Sequence, residues 1–510
     1  MLMKVACVGG GPGGLFLATL LKRDLPGTEV TVFERNRPGD TFGFGVVFSD
    51  ATLGAIDATD PVLSDALATH GRHWDRIEVR VKGERQRCGG NGMSGIARKT
   101  LLGLLQQRAR AAGVRMRFQH EIDDLAELAE FDLVVISDGA NSRLRAEFAG
   151  DFGSTATTAT AKFIWFGTTH LFDGLTFIHA DGPHGVFAAH AYPISDELST
   201  FIVETDEQSW AAAGLDEFDA SLPPGVNDEK TRAYLEELFA PEIGGQALVG
   251  NNSRWGNFTT RRAGTWRRGI PGGPHWVLLG DAAHTAHFSV GSGTKMALED
   301  AVALSRALRD SEHDIAAALE RYEAARQPEV ERIQSAARPS LSWWEHFGRY
   351  ARAFDPVQFG FHFLTRSITR AKLARRDPGY VAHVDDWWRR QYGTPPLDTP
   401  FGTTGVLLPS RRLDGRQDGR LAMGCDEGTW IDAPADESGL PVALAAVRIA
   451  ARADTPLIGI RGGTPLTRVL LAEEARLACQ VPAMLAGPYD DDAAETLILS
   501  GRADLIAVTA

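Results

Sequence analysis

The sequence predicts an α/β fold: a Rossmann-like dinucleotide-binding unit with an inserted β-sheet, long helices after it, and a small α/β tail. Three observations predict it. An apolar strand at 4–8 runs into a glycine turn and a helix; two further apolar runs, 133–136 and 276–279, each end in a Gly/Asp turn. Between those two lies a stretch rich in β-branched and aromatic residues, broken by Gly, Pro and Asp turns.

Gly9, Gly11 and Gly14 satisfy GxGxxG, with Pro12 and Gly13 inside the motif. The first glycine permits a tight turn, the second lets a pyrophosphate approach the backbone, and the third lets helix and strand pack closely. The helix continues over 15–22, and a second apolar run, 30–33, ends in Glu34, which lies 20 residues past Gly14. A dinucleotide-binding unit places a carboxylate there for the ribose hydroxyls. This fingerprint alone fits FAD and NAD(P) equally. A helix over 99–112 and a strand over 114–118 follow, then the run at 133–136 with Asp138 and Gly139. Residues 162–166, 184–192 and 199–204 read as strands. The run at 276–279 leads into Gly280 and Asp281, and Gly291 and Gly293 precede a helix over 294–309 that opens with Thr294 and Lys295.

Composition excludes several classes. The 510 residues carry 53 Lys+Arg against 66 Asp+Glu, a net charge of -13, which argues against a nucleic-acid or anionic-membrane partner. Cys7, Cys88, Cys425 and Cys479 have no metal-ligand or disulfide spacing, so no metal is expected and a reduced, cytoplasmic setting is. No window of 18 apolar residues reads as a membrane span.

Asp138, Gly139, Ser142 and Arg145 resemble the DG motif of the single-component (group A) flavoprotein aromatic hydroxylases, and the GDAAH of residues 280–284 resembles that family's GD motif. The resemblance implies bound FAD and a visiting NADH or NADPH. It implies a discontinuous FAD domain, with an inserted sheet covering the flavin. Asp281 then accepts from a ribityl hydroxyl, amides at Gly291 to Thr294 hold the anionic edge of the reduced flavin, and Arg98 is the cofactor-contacting arginine. Arg35, Val47 and Lys295 fall in matching segments and complete the expected cofactor set.

Within the family, residues 34–38, 40–50, 95–99 and 280–295 resemble the salicylyl-CoA 5-hydroxylase and 2-aminobenzoyl-CoA monooxygenase group. A more distant similarity, through residues 189–192 and 287–289, is to the hydroxylases of violacein assembly. The closer resemblance implies hydroxylation of salicylyl-CoA at position 5, to gentisyl-CoA, with NAD(P)H and O2, by way of a flavin C4a-hydroperoxide. The ring hydroxyl directs attack para and the thioester directs it meta, and both point to position 5. Where the superfamily carries Pro-Pro after GDAAH, this chain has His287 and Phe288. His287 is therefore a candidate for handling the phenolic proton. His190 and Tyr192 alternate with Ala191 on a strand, so they share a face and join it as catalytic candidates. Coenzyme A phosphates suggest partners among Arg261, Arg262, Arg267, Arg268, Arg349, Arg352, Arg366 and Arg370. His284 reads as a structural residue.

The expected domains are an FAD-binding domain over 1–75, 95–160 and 265–345, and a β-sheet substrate domain over 76–94 and 161–264. A helical segment and linker over 346–400 and a tail over 401–510 follow. Residues 481–487, 493–499 and 501–508 resemble the last strand, helix and strand of Old Yellow Enzyme barrels, with an echo of the barrel's opening at 409–423. A (β/α)8 barrel needs about 200 to 250 residues, so the tail reads as a shortened remnant used for packing or homodimer formation, and no FMN is expected. Two rival functions remain: the same chemistry on 2-aminobenzoyl-CoA or an indole-type ring, and a non-catalytic flavin-binding scaffold.

Overall fold

The computed structural model describes residues 3–509 apart from 42, 220–227, 271, 312–313, 404–405, 415–428 and 454. Phe42, Glu312, Thr404, Cys425 and the 415–423 part of the proposed barrel opening lie outside the described residues. The chain forms two compact units, residues 1–75 with 91–345, and residues 76–90 with 346–510.

In the first unit, the apolar runs become a sheet whose strand order is Arg267–Gly269, His275–Leu278, Leu133–Ile136, Lys4–Val8, Glu29–Glu34 and Arg115–Phe118. All neighbours are parallel except the Arg267–Gly269 edge. Such strands are covered on both faces and so read as continuous apolar runs rather than alternating ones. Leu133 to Ile136 have no solvent exposure at all. The helix Pro12–Asp24 packs against Arg98–Ala111 and Gly293–Arg309. The last of these buries one stripe, Met296, Ala301, Leu304 and Leu308, at the spacing of one helix face.

The β-rich stretch forms an antiparallel sheet. Its strands lie in the order Leu248–Gly250, Thr155–Thr168, Ser199–Thr205, Gly185–Pro193 and Leu175–Gly182, with Gly256–Arg262 also paired to Thr155–Thr168. The register sets His190 opposite Ile202 and Glu204 opposite Phe163. A small sheet of Gly45–Ser49, Met93–Ala97 and Arg72–Trp74 carries the chain into Arg98. A long helix spans Ile315–Ala353, with Pro328 and Pro339 inside it.

The second unit pairs the hairpin Ile77–Val81 and Glu84–Cys88 with helices and a parallel sheet of order Arg412–Asp414, Leu505–Val508, Ala483–Gly487, Ile458–Arg461 and Thr429–Asp432. The last strand of the chain returns beside the first of this sheet, and the five described strands leave it open. Among its buried groups, Glu473 accepts from His362 Nε2 at 3.1 Å and from the Tyr350 hydroxyl, with Arg502 Nε 3.8 Å away.

Candidate active site

Three glycine-bearing turns meet because three parallel strands end level with one another: Val8 pairs with Ile136, and Ile136 with Leu278. Each glycine of the first turn has its own reason. Gly9 sits at φ +113, a conformation costly for any side chain, and a Cβ there would lie 2.3 Å from the Ser137 carbonyl oxygen. At Gly14 a Cβ would lie 2.3 Å from the Gly9 carbonyl oxygen, so helix and strand touch backbone to backbone. At Gly13 a Cβ would lie 2.6 Å from Leu279 Cδ2 and 3.2 Å from Ala297 Cβ, so the first helix is joined to the helix after the third turn. At Gly11, by contrast, a Cβ would meet nothing within 4 Å, and the same holds at Gly139 and Gly291. These backbones border open space. Glu34 closes the crossover: one carboxylate oxygen accepts from Gly10 N at 2.8 Å, and the other from Asn36 N and Nδ2, both at 2.8 Å.

The two later motifs are locked together. Ser142 caps the helix Arg143–Glu147 by accepting from Arg145 N, and Arg145 donates to the Ala282 carbonyl at 2.9 Å and the Ala140 carbonyl at 2.7 Å. His284 donates from Nε2 to Asp300 at 2.7 Å. Asp300 also accepts from Gly280 N and Arg326 Nε, so His284 braces the Gly280 turn.

Around the open space stand polar atoms with no partner among the described residues: Arg98 Nε, Asp138 Oδ1 and Ser292 Oγ, each buried. Buried polar atoms are almost always bonded, so orphans grouped at one place point to a ligand. Burial lowers the pKa of Arg98, against the pull of Tyr192 and Asp281. Burial raises Asp138. It raises Asp281 too, with His284 and Arg98 opposing, although solvent reaches Asp281. A carboxylate that is both desolvated and accessible lines a concave wall. Open glycine amides for phosphates, two carboxylates for hydroxyls and one buried guanidinium make a donor set that fits FAD. Other expected contacts are less central. Lys295 pairs with Glu299 at 2.6 Å, Arg35 is exposed, and Val47 lies on Gly45–Ser49 opposite Gly95.

The catalytic candidates gather on the antiparallel sheet and the turn after Gly280. His190 Nε2 lies 2.7 Å from Glu204 Oε1, and His287 Nε2 lies 3.7 Å from Glu204 Oε2. All three are buried. Aromatic rings wall this cluster: Trp344 lies 4.1 Å from His190 between ring centres, Phe288 4.2 Å and Phe258 4.9 Å from His287. Tyr192, two residues along from His190, is pushed up to about 12 by burial, with Thr200 and Arg98 acting against it. It is therefore a neutral hydrogen-bonding group. Glu204 is the residue the sequence reading missed. Its signal was an acid in the strand Ser199–Thr205, every residue of which is buried.

Seven of the eight arginines that are candidates for CoA phosphates have partners within the chain. Arg267 pairs with Glu320 and Glu323, Arg268 with Asp151, Arg349 with Glu474, and Arg370 with Asp385 and Glu495. Arg261 donates to Asn141, Arg262 to Gln334, and Arg366 to the Phe363 carbonyl. Among the described residues, no His/Cys/Asp/Glu group could hold a metal, and no helix is long and apolar enough to cross a membrane.

Residues 2–337 match the model of the FAD binding domain family. The chain belongs to this family. It is an FAD-dependent aromatic monooxygenase. Salicyloyl-CoA 5-hydroxylase of a Streptomyces species is 65% identical over 99% of this chain and 100% of its own length. The 3-hydroxy-4-methyl-anthranilyl-[aryl-carrier protein] 5-monooxygenase of Streptosporangium sibiricum is 39% identical over 67% of this chain and 89% of its own. Protodeoxyviolaceinate monooxygenase of Chromobacterium violaceum is 31% identical over the same shares. Among solved structures, 2-methyl-3-hydroxypyridine-5-carboxylic acid oxygenase superposes with a TM-score of 0.54 at 19% identity, covering 72% of this chain and 98% of that one. At that identity it shows the fold alone. The family match ends before the tail, and the Old Yellow Enzyme likeness read there gains nothing from these relatives.

Proposed function

We propose that this enzyme hydroxylates the ring of salicyloyl-CoA at position 5, consuming one NAD(P)H and one O2 and releasing water. The observation that carries this reading is the 65% identity to a salicyloyl-CoA 5-hydroxylase over the full length of that protein. The anthranilyl-carrier relative supports it, since its name also places oxygen at position 5 of a ring tethered as an acyl group. That relative's amino-substituted ring keeps 2-aminobenzoyl-CoA as the second reading.

The Gly9 to Gly14 turn, Glu34, Arg98, Asp138 and Asp281 would hold FAD, which would supply the redox chemistry for oxygen transfer. The chain's own residues prepare the ring. The wall of Trp344, Phe288 and Phe258 keeps water from the reacting carbon, which preserves coupling between NAD(P)H use and product. A histidine of the His190 and His287 pair takes the phenolic proton; the O–H bond breaks, its electron pair stays on oxygen, and the para carbon becomes more electron-rich. Tyr192, neutral and buried, offers a hydrogen bond on the same strand face. A CoA thioester substrate and NAD(P)H support a cytoplasmic setting for the reaction.

The test is oxygen uptake and NAD(P)H oxidation by the FAD-loaded protein with salicyloyl-CoA, free salicylate and 2-aminobenzoyl-CoA in parallel, with products weighed by mass spectrometry. One added oxygen on the salicyl thioester is the expected product. Stimulation by 2-aminobenzoyl-CoA alone would move the assignment to the second reading, and peroxide without product would remove both.

A further inference from the structure

Glu204 lies within ion-pair distance of two histidines from separate parts of the chain, and the tautomer of one of them, His287, follows from its neighbours. The Ser289 backbone N–H points at His287 Nδ1 at 3.4 Å, and Ser289 Oγ lies 2.8 Å from the same nitrogen. A backbone amide can only donate, so Nδ1 of His287 accepts and the ring proton sits on Nε2, toward Glu204. His190 Nε2 lies 2.7 Å from Glu204 Oε1, a charge contact rather than a directed hydrogen bond. His287 thus carries its basic nitrogen, Nδ1, on the side of the ring away from Nε2 and the carboxylate. An orienting carboxylate behind a histidine fixes the tautomer and favours the imidazolium once a proton arrives. Here one carboxylate lies 2.7 Å from a nitrogen of one ring and 3.7 Å from a nitrogen of another.

We propose that Glu204 is a positioning residue that couples His190 and His287 into one proton-accepting pair. The proton of the substrate's ring hydroxyl goes to His190, or to Nδ1 of His287 by way of Ser289 Oγ, which in turn lies 2.9 Å from Ser340 Oγ. The assignment rests on the ring-hydroxylation reading above. The titratable groups at the cluster are His190 from Gly185–Pro193 and His287 from the turn before Gly293–Arg309. His179 stacks on Trp344 at 6.1 Å, and Lys162 is turned to Glu207 and Asn257.

The experiment is a pH titration of ring signals in FAD-loaded protein labelled at histidine, with His190 and His287 assigned from H190N and H287N, alongside the pH profile of hydroxylation. In E204Q the carboxylate charge is gone, the imidazolium loses its partner, and both histidines titrate about one pH unit lower or more. The acid limb of kcat moves the same way and its plateau falls at least about tenfold, with KM little changed. E204D restores most of the plateau. Unchanged histidine titrations and an unchanged acid limb in E204Q would overturn the proposal. So would a His190 titration indifferent to H287N, a measurement that needs no change at Glu204. If the histidines shift in E204Q while salicyloyl-CoA leaves the unaltered enzyme's NAD(P)H oxidation unstimulated, the substrate reading falls and the Glu204 assignment stands.

Discussion

Each unit of this chain buries a glutamate against histidine, and the two clusters differ in what answers the carboxylate's charge. In the C-terminal unit, Glu473 faces His362, the Tyr350 hydroxyl and the guanidinium of Arg502. Arg502 is permanently charged, so the cluster is balanced without any proton moving. Burial, helped by Arg502, lowers His362 to about 3. Burial alone would raise Glu473, but His362, Arg502 and Tyr350 outweigh it and bring it to about 2. In the first unit, Glu204 is answered by His190 and His287, whose charge is conditional on a proton. A buried carboxylate matched by a fixed cation holds structure, whereas one matched by titrating rings can take part in chemistry.

The comparison breaks most visibly at His190. H190N should lower the rate of hydroxylation about 10²–10⁴-fold, the span of a lost general base, with FAD content kept, as flavin absorbance and product assays will show. E473Q should do the reverse: it leaves Arg502 buried without its carboxylate, costs about 3–5 kcal/mol of stability, and shows in a thermal melt. The pH sign sharpens the contrast. His362 and Glu473 both have folded-state values below their unfolded ones of about 6.5 and 4.3, so the unfolded chain binds more protons as pH falls. Their stabilisation is complete above about pH 6.5 and drains away as pH falls through about 3 and then about 2. Denaturant midpoints measured from pH 7 downward should fall, and the fall should be shallower in E473Q. A smaller effect is expected from D281A, about 10- to 100-fold weaker FAD binding by equilibrium dialysis, since one hydrogen bond to a charged group contributes about 1.5–3 kcal/mol. Smallest of all, R267Q with R268Q should leave KM for the acyl-CoA within about twofold, because both arginines already serve Glu320, Glu323 and Asp151.

The cofactor cradle was legible in the sequence because its requirements are local. A strand end, a glycine that must reach positive φ and a glycine that must admit another backbone are written within six residues, from Gly9 to Gly14. The carboxylates at strand ends, Asp138 and Asp281, are marked by the apolar runs before them. Glu204 was not legible, since its meaning lies in meeting His287, which is 83 residues further along. The surface arginines are read poorly for the opposite reason: charge is visible in a sequence, but the carboxylates that answer it, such as Glu320 for Arg267, are chosen by the fold. The grouping of 76–90 with 346–510 likewise depends on pairings across some 270 residues, for which no short motif exists.

The level ending of Val8, Ile136 and Leu278 has a consequence for how the enzyme is made. The strand His275–Leu278 pairs directly with Leu133–Ile136, so the cradle cannot close until most of the chain has left the ribosome. Nascent chains stopped before residue 275 should not retain FAD. In the finished enzyme, FAD is a ligand of the folded state alone and adds to its stability in proportion to the logarithm of its concentration. Riboflavin supply therefore sets how much of this protein survives synthesis, as well as how much of it is active.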